Sequence, residues 1–150
     1  MKRILTFSVL AMALFACSKD KFKTEPTVEI KSFGPESVVK GEIFTLRANV
    51  TDKEGDLQDS VLLVRKRFSN NIQLGLSDTL RFFIKDLDFP DNSKIEIAAM
   101  FSYGEILDNY IFQNLESNTD KQLSVGIIVR DKAGNKSPYV ESQRITLKKL

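Results

Sequence analysis

From Pro26 onward, apolar residues recur at every second position rather than at helical spacing. Phe44, Leu46, Ala48 and Val50 alternate with Thr45, Arg47 and Asn49. Leu80, Phe82 and Ile84 alternate with Arg81 and Lys85, and Ile95, Ile97, Ala99 and Phe101 repeat the pattern. Leu123, Val125, Ile127 and Val129 give the cleanest run, while Val28 with Ile30 and Ile145 with Leu147 supply a first and a last strand. Successive side chains of a strand point to opposite faces, so each run predicts a strand with one face on a core. Val61, Leu62, Leu63 and Val64 are apolar on both faces, which predicts a central strand.

Turn formers separate the runs. Gly34-Pro35, Lys40-Gly41, Lys53-Glu54-Gly55-Asp56, Asn70-Asn71, Pro90-Asp91-Asn92 and Ala133-Gly134-Asn135 all fall between them. Only Gly126 lies inside a run, where it predicts a bulge or a close backbone approach. No helix of normal length is evident, and no internal repeat. Seven strands bounded by turns predict an all-β fold, a seven-stranded antiparallel sandwich over residues 26–150.

The N-terminus follows a different rule. Lys2 and Arg3 precede an uncharged stretch over residues 4–16. As a helix it would cover roughly 20 Å, short of the roughly 30 Å of a bilayer core, and the pattern fits a cleaved export signal. The stretch ends in Leu14-Phe15-Ala16-Cys17, which resembles a bacterial lipobox: Leu at −3, a small residue at −1, and a thiol at +1 to take the lipid. Phe15 is bulkier than the usual residue at its position. The alternative is an ordinary secretory signal with an incidental Cys, but the chain's single Cys stands where the signal needs it. The resemblance implies a signal peptide over residues 1–16, lipidation at Cys17, and a polar tether over residues 17–25. Two or more acyl chains give stable anchoring where one gives only marginal binding. Ser18 in place of an inner-membrane retention Asp permits sorting to the outer membrane. Lys19-Asp20 loosely resembles the sorting signal of surface lipoproteins in Bacteroidetes-type bacteria, so the expected orientation is periplasmic or surface-facing.

Composition removes much chemistry. With no His, the chain of 150 residues builds no Ser-His-Asp or Cys-His constellation and no His-ligated metal site. A single Cys excludes an intrachain disulfide, a thiolate zinc site and a CxxC redox motif. Of 22 basic and 20 acidic residues, Lys2 and Arg3 lie in the leader, which leaves 20 of each (22 − 2). A near-neutral mature chain argues against nucleic acid as a partner.

Two segments carry a family resemblance. Val50-Thr51-Asp52-Lys53-Glu54-Gly55-Asp56-Leu57 is similar to the B–C corner of bacterial immunoglobulin-like, PKD-like and cadherin-like domains. Val129-Arg130-Asp131-Lys132-Ala133-Gly134-Asn135-Lys136-Ser137 is similar to their F–G hairpin, with a type I turn over Asp131 to Gly134. The core Trp and paired Cys of antibody domains are absent, and the resemblance is to an architecture that serves many functions.

Candidate sites follow from the loops. Asp52, Glu54, Asp56 and Asp59, then Asp86, Asp88 and Asp91, and lastly Asp131 lie in three loops expected at one end of the sandwich. Calcium takes six to eight oxygens from such groups, which makes Asp52, Glu54, Asp56 and Asp131 candidate calcium ligands. Ordinary turn chemistry accounts for the same residues. Residues 103–120, expected at the opposite pole, are long for a connection and rich in large apolar side chains. Within them Tyr103, Tyr110 and Phe112 are candidate partner-binding residues. The alternative is that this segment packs as a short helix or an extra strand. Arg65-Lys66-Arg67 reads as an exposed basic face and Lys148-Lys149 as a solvated tail. The expectation is a non-catalytic lipoprotein with a binding or assembly surface for an envelope protein. The other reading is a calcium-stabilised adhesion or glycan-binding module.

Overall fold

The computed structural model describes residues 25–57, 59–83, 94–114 and 118–149. The signal, Cys17 and most of the tether lie outside them, as do Asp86, Asp88 and Asp91.

Every predicted run is a strand over its described residues, Ile84 and Lys85 lying outside them, and four short strands join the runs. In chain order they are β1 (Thr27–Gly34), β2 (Ser37–Val38), β3 (Ile43–Thr51), β4 (Ser60–Ser69), β5 (Ile72–Gln73), β6 (Asp78–Phe83), β7 (Lys94–Tyr103), β8 (Ile111–Gln113), β9 (Lys121–Arg130), β10 (Val140–Glu141) and β11 (Ile145–Leu147). One sheet has the order β1-β3-β7-β8. The other has the order β2-β11-β9-β4-β5, with β6 also on β4 and β10 on β9. No helix occurs among the described residues. The two sheets pack face to face as a β-sandwich.

Alternation decides what lies between the sheets. Phe44, Leu46, Ala48 and Val50 of β3 face Leu123, Val125, Ile127 and Val129 of β9, and all eight are essentially inaccessible to solvent. At one end Phe44 stacks on Phe101 with centroids 5.0 Å apart, and Phe33 meets both rings edge-on at 5.8 and 6.2 Å. β4 is central, flanked by β9 along Ser60–Phe68 and by β6 along Ser60–Arg65, as its two apolar faces predict.

Two pairings depart from an all-antiparallel pattern. After the cis peptide Gly34–Pro35 the chain leaves the first sheet, and β2 runs parallel to β11 in the second. β8 runs parallel to β7. The fourth predicted run, β6, takes the free side of β4 rather than the edge beside β7, which β8 occupies.

Register fixes the poles. Thr27 pairs with Thr51, and Thr51 with Lys94, so the described chain enters beside the β3–β4 loop. Ile43 pairs with Ser102, which puts the β7–β9 connection at the opposite pole. A strand of eight to ten residues separates the two by roughly 30 Å.

Candidate functional site

At the entry pole the β3–β4 loop and the β9–β10 turn touch. Gly55, with φ +75°, turns the first of them in the left-handed region that favours glycine. Asp56 then accepts the Lys132 backbone N–H on its carbonyl at 3.0 Å. Asp131 is 1% exposed, and both of its carboxylate oxygens are used. Oδ1 accepts from the Asn135 backbone N–H at 2.7 Å and Oδ2 from Asn135 Nδ2 at 2.8 Å. The Gly134 N–H closes on the Asp131 carbonyl at 3.2 Å, with Gly134 at φ +90°, as the turn residues predict.

Asp52 and Asp56 are placed differently. Asp52 is 4% exposed; its Oδ2 accepts the Asp56 backbone N–H at 3.3 Å, and its Oδ1 has no partner among the described residues. Asp56 Oδ1 is likewise enclosed and unpartnered. Burial, then the hydrogen bond to the Asp52 side chain, then repulsion from Asp131, Asp52 and Glu54, push the Asp56 carboxyl above its ordinary range. Glu54 stays exposed. Asp59 turns away, accepting from Ser60 Oγ at 2.9 Å and lying 3.6 Å from Arg130 Nε. Among the described residues, no three acidic side chains stand at metal-ligand spacing. The four candidate ligands therefore sort by role: Asp131 holds a turn, Glu54 is solvated, and Asp52 and Asp56 face one another.

At the far pole Tyr103 belongs to the core and is not a partner-binding residue. It is 1% exposed as the last residue of β7, and its hydroxyl donates to the Lys148 carbonyl at 2.6 Å. Tyr103 continues the inward-facing alternation of Ala99 and Phe101 along β7, so its ring points into the core, away from any partner surface. The segment forms an extra strand, β8, in which Ile111 packs on the core. Ile106 is 81% exposed, Phe112 37%, and Tyr110 is half-buried. Arg65 ties β8 to the other sheet, donating through Nη1 to the Phe112 carbonyl at 2.9 Å and to Gln113 Oε1 at 3.3 Å while Nη2 pairs with Asp78. These groups, with Arg67 and Asn114, line a shallow cavity of about 190 Å³.

Arg65 and Lys66 are only half-exposed, whereas Arg67, Lys148 and Lys149 are exposed as expected, and both basic runs are engaged by acidic partners. Besides Arg65, Lys66 is engaged, its Nζ lying 2.5 Å from Glu141 Oε2 and 4.8 Å from the Tyr139 ring centroid. The Lys148-Lys149 tail is tied to Asp120 by Lys148 Nζ and by the Lys149 N–H, each at 2.9 Å. Sequence reasoning missed the outer-face cluster of Lys66, Ser124, Tyr139 and Glu141. Its one signal was Gly126, which is a close approach rather than a bulge: Tyr139 lies across it. The larger cavity, about 520 Å³, is a trench between β1 and β10. The Ser142 hydroxyl beside it is committed to the Gln143 carbonyl at 2.8 Å and to the Val125 N–H at 3.0 Å.

No family model matches the chain, and no curated protein matches it. Solved structures similar to it include Spo0M, a sporulation control protein from Bacillus subtilis (10% identity over 84% of this chain and 50% of that one, TM-score 0.45). A conjugative transposon lipoprotein from Bacteroides eggerthii is 15% identical over 80% of this chain and 95% of that one, with TM-score 0.36. The CARDB domain of a Pyrococcus furiosus protein is 11% identical over 84% and 88%, with TM-score 0.31. The chain thus spans half of the first of these and 16% of a Listeria innocua beta-glucosidase that it also resembles (8% identity, TM-score 0.42). At these scores the likenesses carry no functional argument.

Proposed function

We propose that this chain is a lipoprotein anchored through Cys17 to the outer membrane, presenting a non-catalytic sandwich of the bacterial immunoglobulin-like type as a binding or assembly surface. The observation that carries the proposal is the Leu14-Phe15-Ala16-Cys17 sequence with its single Cys, set ten residues before Thr27. Ten extended residues reach at most roughly 36 Å. A tether of that length holds the entry pole near the bilayer and points the β7–β9 segment away from it. That far pole carries Ile106, Tyr110 and Phe112, which suit contact with an envelope protein. A chain without His, with its one Cys in the lipobox, supports a role other than catalysis. One observation favours a second reading, a calcium-stabilised adhesion or glycan-binding module: the unpartnered oxygens of Asp52 and Asp56.

The test is intact mass and membrane fractionation of the wild type beside Cys17→Ala, with protease shaving of whole cells. The expected result is an acylated wild type in the outer membrane and a released variant. Shaving by protease places the partner outside the cell; protection places it in the periplasm. A soluble, unacylated wild type overturns the anchoring.

A further inference from the structure

We propose that the outer face of the second sheet is the contact surface for a second copy of this chain, the two copies related by a two-fold axis parallel to the strands. Leu62 and Val64 of β4 point away from the core, since Val61 and Leu63 point into it. Leu62 pairs with Ile128 of β9, and Val64 pairs with Gly126, across which the Tyr139 ring lies. Leu62, Val64, Ile128 and Tyr139 thus form one apolar patch at the centre of a face that, in a solvated antiparallel sheet, alternation makes polar. Neighbouring strands shield Leu62, Val64 and Ile128 from the sides and leave them half-buried, while Tyr139 is 40% exposed. No third layer covers the patch among the described residues. The first sheet is built otherwise: on its outer face Arg47 of β3 pairs with Glu96 of β7 at 2.9 Å.

Charge around the patch selects a second copy as its occupant. Across the second sheet the strands run β10-β9-β4-β6. Glu141, beside Gly126, therefore stands at one margin of the patch and Arg81, beside Leu62, at the other. Arg81 is exposed and has no ion-pair partner among the described residues. Glu141 Oε1 accepts one bond, from Ser124, and has capacity for another. When two such faces stack, a two-fold axis parallel to the strands lays β6 of each copy over β10 of the other. Each Arg81 then meets the partner's Glu141, and the contact occurs twice. An axis across the strands lays β6 over β6 and brings the two Arg81 side chains together, which costs energy. The favoured axis also keeps both entry poles at one end, so two chains tethered through Cys17 pair within one membrane. β4 and β9 have ten residues each, roughly 33 Å, and four strands span roughly 19 Å, so the face offers roughly 600 Å² per copy. The roughly 1,200 Å² buried in total lies at the lower end of specific interfaces, which makes the dimer a weak one.

The test is sedimentation equilibrium of the purified full chain carrying Cys17→Ala, so that acyl chains take no part and the outcome is independent of anchoring. The expected result is a reversible dimer with a dissociation constant of about 10–100 μM. Ile128→Glu sets two carboxylates in the contact and should leave a folded monomer. Arg81→Glu turns each attraction into a repulsion and should weaken the dimer about tenfold. Arg47→Glu, on the opposite sheet, should leave it unchanged. A monomer at every concentration up to about 500 μM overturns the second copy as occupant. A dimer that persists in Ile128→Glu overturns the face, and one indifferent to Arg81→Glu overturns the axis. If Ile128→Glu fails to fold, the two arginine variants decide: weakening by Arg81→Glu alone supports the proposal, and any other pattern overturns it.

Discussion

The ring of Tyr139 lies across Gly126: a Cβ at position 126 would stand 2.1 Å from Tyr139 Cε2 and 2.3 Å from Cζ. The glycine lets the ring lie on the outer face of β9, where the Tyr139 hydroxyl donates to Glu141 Oε2 at 2.9 Å. Ser124 Oγ donates to Glu141 Oε1 at 2.6 Å, and the Lys66 ammonium sits against both the carboxylate and the ring.

Gly126→Ala should therefore destabilise the fold by about 1–3 kcal/mol, since the ring must leave and its bonds with it. In a Tyr139→Ala background the same change should cost much less. Urea midpoints for the four proteins of that cycle measure the coupling, and additive costs would show that the contact carries no energy.

Tyr103 and Ile106 separate packing from surface at the far pole. Tyr103→Phe removes the hydroxyl from the Lys148 carbonyl and should cost about 1 kcal/mol. Tyr103→Ala should cost about 3–5 kcal/mol. Ile106→Ser, at an 81% exposed position, should change stability by no more than about 0.5 kcal/mol. Denaturant unfolding of the three variants checks the order.

Arg65 should control the attachment of β8. Arg65→Lys keeps the charge but loses the planar fork that reaches the Phe112 carbonyl, Gln113 Oε1 and Asp78 together. The expected cost is about 1–2 kcal/mol, with faster hydrogen exchange at Ile111–Gln113 than in the rest of the first sheet. Uniform exchange across both sheets would contradict this role.

Stability in EDTA should respond to pH with opposite signs at two carboxylates. The folded-state value of Asp56 lies above 3.8, so the folded protein holds its proton more tightly than the unfolded chain. The stability this provides is present below pH 3.8 and is lost as pH rises through the folded value. Asp56→Asn should then melt above the wild type at pH 7, and the gap should close on acidification. Burial raises Glu141, but the Lys66, Ser124 and Tyr139 hydrogen bonds outweigh it and hold the carboxyl below 4.5. Its contribution is present above pH 4.5 and is lost as pH falls through the folded value, so Glu141→Gln should melt below the wild type at pH 7 and converge with it in acid. Melting curves from pH 3 to pH 8 distinguish the two.

The strands were legible because alternation is local: the inward side chains of β3 and β9 announce themselves without reference to any partner. The tight turns were legible for the same reason, since Gly134 and Asp131 meet a requirement set within four residues. The role of Tyr103 was not legible. It reads like Tyr110 in composition, and only its pairing position at the end of β7 buries it. Arg65 was equally opaque, because its partners lie 47 and 48 residues away.

By itself the sequence determined an all-β sandwich of alternating runs, the places where the chain turns, and the single Cys at the end of an uncharged N-terminal stretch. Each of these depends on residues within a few positions of one another. The tertiary structure alone decided that β6 joins β4, that β8 takes the edge beside β7 in parallel, and that Asp52 faces Asp56 while Asp131 is consumed by its turn. Strand partnership and burial are set by contacts across dozens of residues, where many alternating runs compete for the same edge and the packing of the whole selects one.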